Sequence, residues 1–317
     1  ICACLVGSEM CIRDSIYGIK YLTLTVDGEP VYRRTIDRFS FDDTKAIHTL
    51  VDNDGVVNKG SWMMWTHVPK SNPLDYMIET SQPDGVLTID EERPYKCSWT
   101  LTDEHGNSRV IQFTITGQRQ EIVPEKAKGD LFEFNGRNTY SDNGLKVIIE
   151  PSTLYDDIYF SVDSATSESY LTPVYRIGDR SVPLRKDYTI VMDIPNDTVV
   201  DKSKYVMVRL NGKRRNKVDA CYDNGTMTAS PSAFGSFAIT TDRKAPVITP
   251  VNNNRWGRTG IVKFKISDNL SGIKEYRGEI DGKYALFELD GKTGTLSFKM
   301  DASKWDKGKR HNIKLHV

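Results

Sequence analysis

Apolar and polar residues alternate with a period of two along most of the chain. Val262, Phe264 and Ile266 are separated by Lys263, Lys265 and Ser267, a pattern that predicts a strand with one dry face. Leu22, Leu24 and Val26 repeat it, as do Ile111, Phe113 and Ile115, then Leu145, Val147 and Ile149, then Val206, Val208 and Leu210. Between such runs stand Asp27-Gly28, Asn211-Gly212, Asp281-Gly282 and Asp290-Gly291, pairs that tolerate positive φ and so predict tight hairpin turns. One stretch departs from the alternation. In residues 41–53, Ala46, Ile47, Leu50 and Val51 fall on one side of a short helix that Asp42 or Asp43 is placed to cap. The expected fold class is all-β: tandem immunoglobulin-like antiparallel β-sandwiches with one short helix.

Polar, proline-bearing stretches at residues 116–130 and 240–257 interrupt the alternation and predict module boundaries. They divide the chain into an immunoglobulin-like sandwich over 16–118, a sandwich of a different type over 119–244, and a second immunoglobulin-like sandwich over 245–317. The first and third share an echo. Gly-Ile-Lys precedes Asp-Gly by the same step in both, from Gly18 to Asp27 and from Gly272 to Asp281. They read as copies of one construction. In the first copy "YKCSWTL" (95–101) runs on into another apolar-polar stretch, whereas "HNIKLHV" (311–317) stops at the matching point, so the third module is expected to lack its final strand and to expose a sheet edge. Residues 1–15 are set apart: "VGSEMCIRDS" resembles a translated sequencing adapter of the kind found in metagenomic reading frames, and the stretch lacks the layout of a secretory signal.

Composition narrows the classes. With 38 % hydrophobic and 10 % aromatic residues and no apolar run near eighteen, the chain reads as globular, without a membrane span. Its 43 basic and 43 acidic residues balance, and setting aside Arg13, Glu9 and Asp14 hardly changes that, so there is no overall electrostatic footprint for nucleic acid. Three of the five cysteines lie in the first fifteen residues. Cys97 and Cys221 fall in different predicted modules, which argues against a disulfide framework.

The residue chemistry discloses no catalytic set. Five histidines are present: His48, His67, His105, His311 and His316. A zinc site on a strand needs imidazoles on one face, and His311 and His316, five apart, are expected on opposite faces of one strand. Adjacent acids at Asp42-Asp43, Glu91-Glu92 and Asp156-Asp157 raise a hydrolase carboxylate pair, but neighbours on a strand point opposite ways. Cys97 has no activating neighbour in sequence. "SDNLSG" (267–272) offers Asp268 and Asn269 to calcium without the further acids such a loop needs, so a turn is expected. Two stretches are candidates for contact with a glycan or partner. Trp62 and Trp65 in "GSWMMWTHV" could stack on sugar rings, and Lys213, Arg214, Arg215 and Lys217 in "NGKRRNK" could bind an anionic glycan. The alternatives are a core face for the tryptophans and a solvated hairpin tip for the cations.

Four runs together resemble the region downstream of the catalytic domain in lysostaphin-type (LytM-like) zinc endopeptidases of Bacteroides-like bacteria: residues 16–44, 89–107, 225–257 and 267–288. The resemblance implies a non-catalytic accessory region of a peptidoglycan-cleaving envelope enzyme. Its implied partners are an upstream catalytic domain in cis and possibly peptidoglycan or an envelope protein, at a periplasmic or exported location. That family's zinc uses a His-x-x-x-Asp element and a His-x-His pair, both upstream of the resembling region. Here no two histidines are two apart, and His48 with Asp52 has no His-x-His to complete it. The resemblance therefore implies no catalytic, cofactor-binding or metal-binding residue in this chain, with zinc expected only in the absent domain. The rival expectation is a stand-alone carbohydrate-binding or adhesin-like β-sandwich module.

Overall fold

A computed structural model describes residues 2–4, 19–56, 63–120, 128–301 and 309–317. Residues 5–15 of the adapter-like stretch, Gly18 of the echo, Trp62, and positions 121–127 of the first boundary lie outside the described residues. The described residues are built into antiparallel sheets with only short helical segments between them. It forms two compact units, one of residues 1–165, 174–193 and 228–236, the other of residues 166–173, 194–227 and 237–317.

In the first unit Cys2–Cys4 (β1) pairs with Met63–Trp65 (β4). The main sheet has Tyr21–Val26 (β2) at its centre, flanked by Glu29–Thr35 (β3) and Pro94–Thr102 (β6), with Ile78–Thr80 (β5) and Ser108–Thr116 (β7) at the edges. Asp27 and Gly28 take φ of 51° and 89°, so the expected β2–β3 turn forms. Leu24 faces Tyr32 but Thr25 faces Pro30, a bulge that accommodates a proline without a broken ladder. Leu22, Leu24, Tyr32 and Trp99 bury one face of this sheet against Ala46, Ile47, Leu50, Leu74 and Met77. Helix α1, Thr44–His48, supplies two of those residues, and its apolar side is the expected one. Asp43 occupies its N-cap position as expected but makes no side-chain cap bond. Ser40 caps the preceding 3-10 turn, its Oγ accepting from Asp42 N and its own N–H donating to Asp43 Oδ2, so the Asp43 carboxylate is committed to that capping box. The expected dry face of β7 is also only half realised: Ile111 is 45 % exposed, since an edge strand has a neighbour on one side only.

The same unit contains Asp130–Phe132 (β8) paired with Ile158–Phe160 (β11), Leu145–Ile149 (β10) between Asn138–Asp142 (β9) and Thr189–Asp193 (β14), and Val162–Ala165 (β12) paired with Val174–Ile177 (β13). Leu145, Val147 and Ile149 are buried as predicted. Phe132 stacks on Phe160 at 4.4 Å, and Phe234 meets both Phe160 and Tyr188.

The second unit holds Tyr205–Asn211 (β15) paired with Arg214–Val218 (β16), and Ala220–Asp223 (β17); the residues of Thr226–Ala229 (β18) and Gly235–Thr241 (β19) are divided between the two units. Tyr205, Val206, Met207 and Val208 are all buried, so this strand is covered on both faces where alternation predicted one. Near its start the Asp197 carboxylate accepts from Lys202 Nζ, Tyr205 Oη and Tyr222 Oη, each at 2.5 Å. The tyrosine rings stack 5.7 Å apart with the Lys202 ammonium over both. These three donors hold the Asp197 carboxyl down at about 2.

Residues 245–317 form two facing sheets. Val247–Pro250 (β20), Ile261–Ser267 (β21), Thr295–Lys299 (β25) and Glu288–Asp290 (β24) make one; Lys283–Ala285 (β23), Arg277–Ile280 (β22) and Ile313–His316 (β26) make the other. Part of the stretch read as the second boundary is thus the edge strand β20, and Trp256–Thr259 is a helix, α2, that alternation did not predict. Val262, Phe264, Ile266 and Leu296 close the core with Ile280, Ala285 and Phe287. The β22–β23 turn is Asp281-Gly282, with φ of 51° and 76°, as expected. At Asp290-Gly291 the positive φ falls instead on Gly294, whose N–H returns to the Asp290 carbonyl.

The echo has an atomic counterpart. Asp27 N–H donates to the Lys96 carbonyl, its Oδ1 accepts from Lys96 N at 2.9 Å, and its Oδ2 accepts from Arg93 Nη1 at 2.7 Å. Asp281 repeats each contact: its N–H donates to the Asn312 carbonyl, Oδ1 accepts from Asn312 N at 2.7 Å, and Oδ2 lies 2.7 Å from His311 Nδ1. In both, the hairpin aspartate grips the start of the strand on the far side of its own. Both carboxyls are held below the usual carboxylate range, by Arg93 and by His311 respectively.

Two measurements probe these interiors. A Cβ at Gly278 would lie 2.2 Å from the ring of the fully buried Phe287, so Gly278→Ala is expected to cost about 1–3 kcal/mol, read as a lowered urea midpoint. A variant as stable as the parent would show that the ring moves aside freely. The Asp197 carboxyl titrates lower folded than unfolded, so its contribution is complete above about pH 4 and is lost as pH falls towards 2. Acid unfolding followed by tyrosine fluorescence is expected to lose a component in that window in Asp197→Asn, and identical curves for parent and variant would refute the assignment.

Candidate functional site

Several of the reactive groups that the sequence offers are taken up in holding segments together. Asp156 Oδ2 lies 3.2 Å from His67 Nε2, and Asp157 accepts from Lys70 Nζ at 2.7 Å and from Phe134 N at 2.9 Å. Ser71 donates its N–H and its hydroxyl to the Tyr155 carbonyl, while the Tyr155 side chain is buried in the core beneath the main sheet. The pair read as a possible hydrolase dyad is therefore a clasp between residues 67–72 and 154–157. A comparable clasp lies in the second unit: the Asp242 carboxylate accepts from Ser271 N at 2.9 Å, and Lys217 Nζ donates to the Ser271 carbonyl at 2.9 Å.

Other acidic candidates are engaged in a similar way. Asp43 accepts from Ser40 N and Tyr76 Oη, Glu91 pairs with Arg93, and Glu92 accepts from Arg119 N. Asp52 accepts from Gly55 N rather than facing His48, which is exposed. His105 sits in a turn tied by Asp103. His311 precedes β26 rather than lying within it, so the two C-terminal histidines do not share a strand as expected; the Asp281 contact holds His311 at the turn. Asp268 accepts from Leu270 N at 2.7 Å and Gly272 N at 2.8 Å, the turn anticipated for "SDNLSG". It borders a cleft of about 580 Å³ with Ile273, Tyr276 and Leu289. Among the described residues no three His, Cys, Asp or Glu side chains gather as a metal-holding group, and no helix is long and apolar enough to cross a membrane.

The tip of the β15–β16 hairpin carries cations without a carboxylate partner among the described residues. Asn211 faces Arg214 and Leu210 faces Arg215, leaving Gly212 and Lys213 as the two-residue loop, with Gly212 at φ 58°. Lys213, Arg214 and Arg215 are exposed, and none meets a carboxylate among the described residues. Alternation sends Arg215 and Lys217 to one face and Arg214 to the other. On the first face the Arg215 guanidinium lies 5.3 Å from the Tyr170 ring centroid. Tyr170 was not singled out in the sequence; it is 45 residues away, and no local pattern links the two. The hairpin thus presents three cations that meet no carboxylate among the described residues, one of them over an aromatic ring. Trp65 belongs to the other unit, in β4, where it is 38 % exposed; its neighbour Met64 accepts from Arg34 through sulfur, so neither face of that strand is a sealed core.

Comparison with known proteins bears on part of the chain. Residues 129–242 match the family model of the Zu5-like domain, a similarity confined to that segment. No curated protein matches significantly. One solved structure, of a Ca2+-stabilized adhesin that helps an Antarctic bacterium reach out and bind ice, aligns with 95 % of this chain and 89 % of its own at 11 % identity. Its TM-score of 0.14 carries no argument.

The two described free thiols differ sharply. Cys97 is 3 % exposed and burial raises its pKa, whereas Cys221 is exposed. Alkylation of the native chain followed by peptide mapping is expected to label Cys221 and to leave Cys97 unmodified until the chain unfolds. Rapid native labelling of Cys97 would contradict the buried, inert assignment.

Proposed function

We propose that this chain is an adhesin-like β-sandwich region that acts by binding an acidic glycan at the cell surface or envelope, with no chemistry of its own. The observation that carries the reading is the β15–β16 hairpin tip. Lys213, Arg214 and Arg215 stand exposed without an acidic partner among the described residues, with Arg215 over the Tyr170 ring. Cations give attraction for a carboxylated or sulfated sugar, and an aromatic face gives a stacking surface for its ring. The hairpin lies within the segment similar to the Zu5-like domain. The carboxylates and imidazoles tied up in clasps agree with binding rather than catalysis. We further propose the division into modules at 16–118, 119–244 and 245–317. The role of accessory region to an upstream zinc domain rests on the sequence resemblance alone.

Titration of the chain against an acidic and a neutral polysaccharide of matched length tests the proposal. The acidic polymer is expected to bind with salt-sensitive affinity, and Lys213→Ala/Arg214→Ala/Arg215→Ala to weaken it about tenfold or more. Equal binding of both polymers, or no effect of the triple substitution, would refute the site. Release of soluble fragments from peptidoglycan by the chain with added zinc would refute the non-catalytic half.

A further inference from the structure

Strand β7 is nine residues long, Ser108–Thr116, and pairs with β6 through nine consecutive registers without a bulge. It closes one side of the main sheet, so its outer edge has no strand beside it among the described residues. Edge strands are ordinarily protected by lysines, proline, a bulge or brevity. None of these protects β7. Arg109 is its sole charged residue, and Val110 and Ile111, on opposite faces, are 55 % and 45 % exposed.

The direction of the free ladder follows from the pairing beside it. Asp103 N donates to the Asn107 carbonyl and Gly117 N to the Arg93 carbonyl, so the odd-numbered residues of β7 direct their N–H and C=O towards β6. The even-numbered residues Ser108, Val110, Gln112, Thr114 and Thr116 direct theirs outwards. Gln112 is the middle residue of the strand. A two-fold axis through it pairs Gln112 with itself, Val110 with Thr114 and Ser108 with Thr116, each with both backbone groups pointing at the other. That phase supplies about ten ladder hydrogen bonds. It also sets Ile111 opposite Phe113, a favourable cross-strand pair, and Arg109 opposite Ile115, with the two arginines at opposite ends. The strand is complementary to itself in hydrogen-bond phase, side chain and charge.

We propose that β7 is an interface for a second copy of this chain, the two strands pairing antiparallel about Gln112 to join two five-stranded sheets into one. The inference is independent of the hairpin and its ligand. Sedimentation equilibrium of the chain from about 1 to 100 µM is expected to show a reversible dimer. Gln112→Pro removes an outward N–H at an edge position that tolerates proline, and is expected to weaken the dimer about tenfold or more with far-UV circular dichroism unchanged. A cysteine pair reads the same geometry without altering the ladder. Gln112→Cys is expected to form disulfide-linked dimers under mild oxidation above the parent's level, because residues paired across the two-fold lie about 5.5 Å apart; Arg109→Cys, opposite Ile115, is not. A parent chain that stays monomeric at 100 µM, a Gln112→Pro chain that dimerises as the parent does, or equal cross-linking at 109 and 112 would overturn the proposal. Should Gln112→Pro fail to fold, the cysteine pair decides.

Discussion

Aspartate carboxylates that accept backbone N–H groups hold this chain together at its turns and between its segments. Where a strand starts or a loop doubles back, the ladder leaves amides without partners, and an unsatisfied amide removed from water is costly. A carboxylate is the strongest acceptor available to a side chain, and its short stem fixes where it can reach. Asp27 and Asp281 apply it at two equivalent hairpins, Asp103 and Asp268 within single turns, and Asp157 and Asp242 between segments distant in sequence. Ion pairs accompany several of these contacts, but exposed pairs contribute little by themselves. The backbone acceptor geometry is the constant feature.

That constraint shapes function by elimination and by remainder. A carboxylate that already accepts two or three hydrogen bonds has most of its acceptor capacity committed to structure. Asp156 and Asp157 are the plainest case, because His67 and Lys70 lie against them as structural partners rather than as a general acid and a substrate anchor. Charges left outside such networks are then informative. The cations at the β15–β16 tip, with Tyr170 alongside, have no such structural task, and neither does the outer ladder of β7.

The hairpin aspartate also explains why an echo of a few residues recurs in two stretches of chain otherwise unlike in detail. The main sheet of the first unit is covered by α1 and irregular segments, whereas residues 245–317 use a second sheet. What they share is an Asp-Gly turn whose carboxylate locks the strand on the other side of the hairpin. Arg93 fills the outer position in one and His311 in the other, since either ring or guanidinium nitrogen reaches Oδ2.

Much of the architecture was legible in the sequence. The alternation at Leu22–Val26, Leu145–Ile149 and Val262–Ile266 marked buried faces because side-chain direction along a strand depends only on residue parity. The Asp27-Gly28 and Asp281-Gly282 turns were legible because positive φ is a local requirement. Local rules fail where the answer depends on what lies next to a strand. Parity alone could not tell that Tyr205–Val208 is covered on both faces while β7 is half exposed, that β20 occupies an apparent linker, or that Asp156 meets a histidine 89 residues away. The amino-acid order determined which residues are able to pack, turn and accept a proton. Only the tertiary structure decided which of them are already engaged and which remain free to bind, because each such contact joins residues far apart along the chain and leaves no periodic mark.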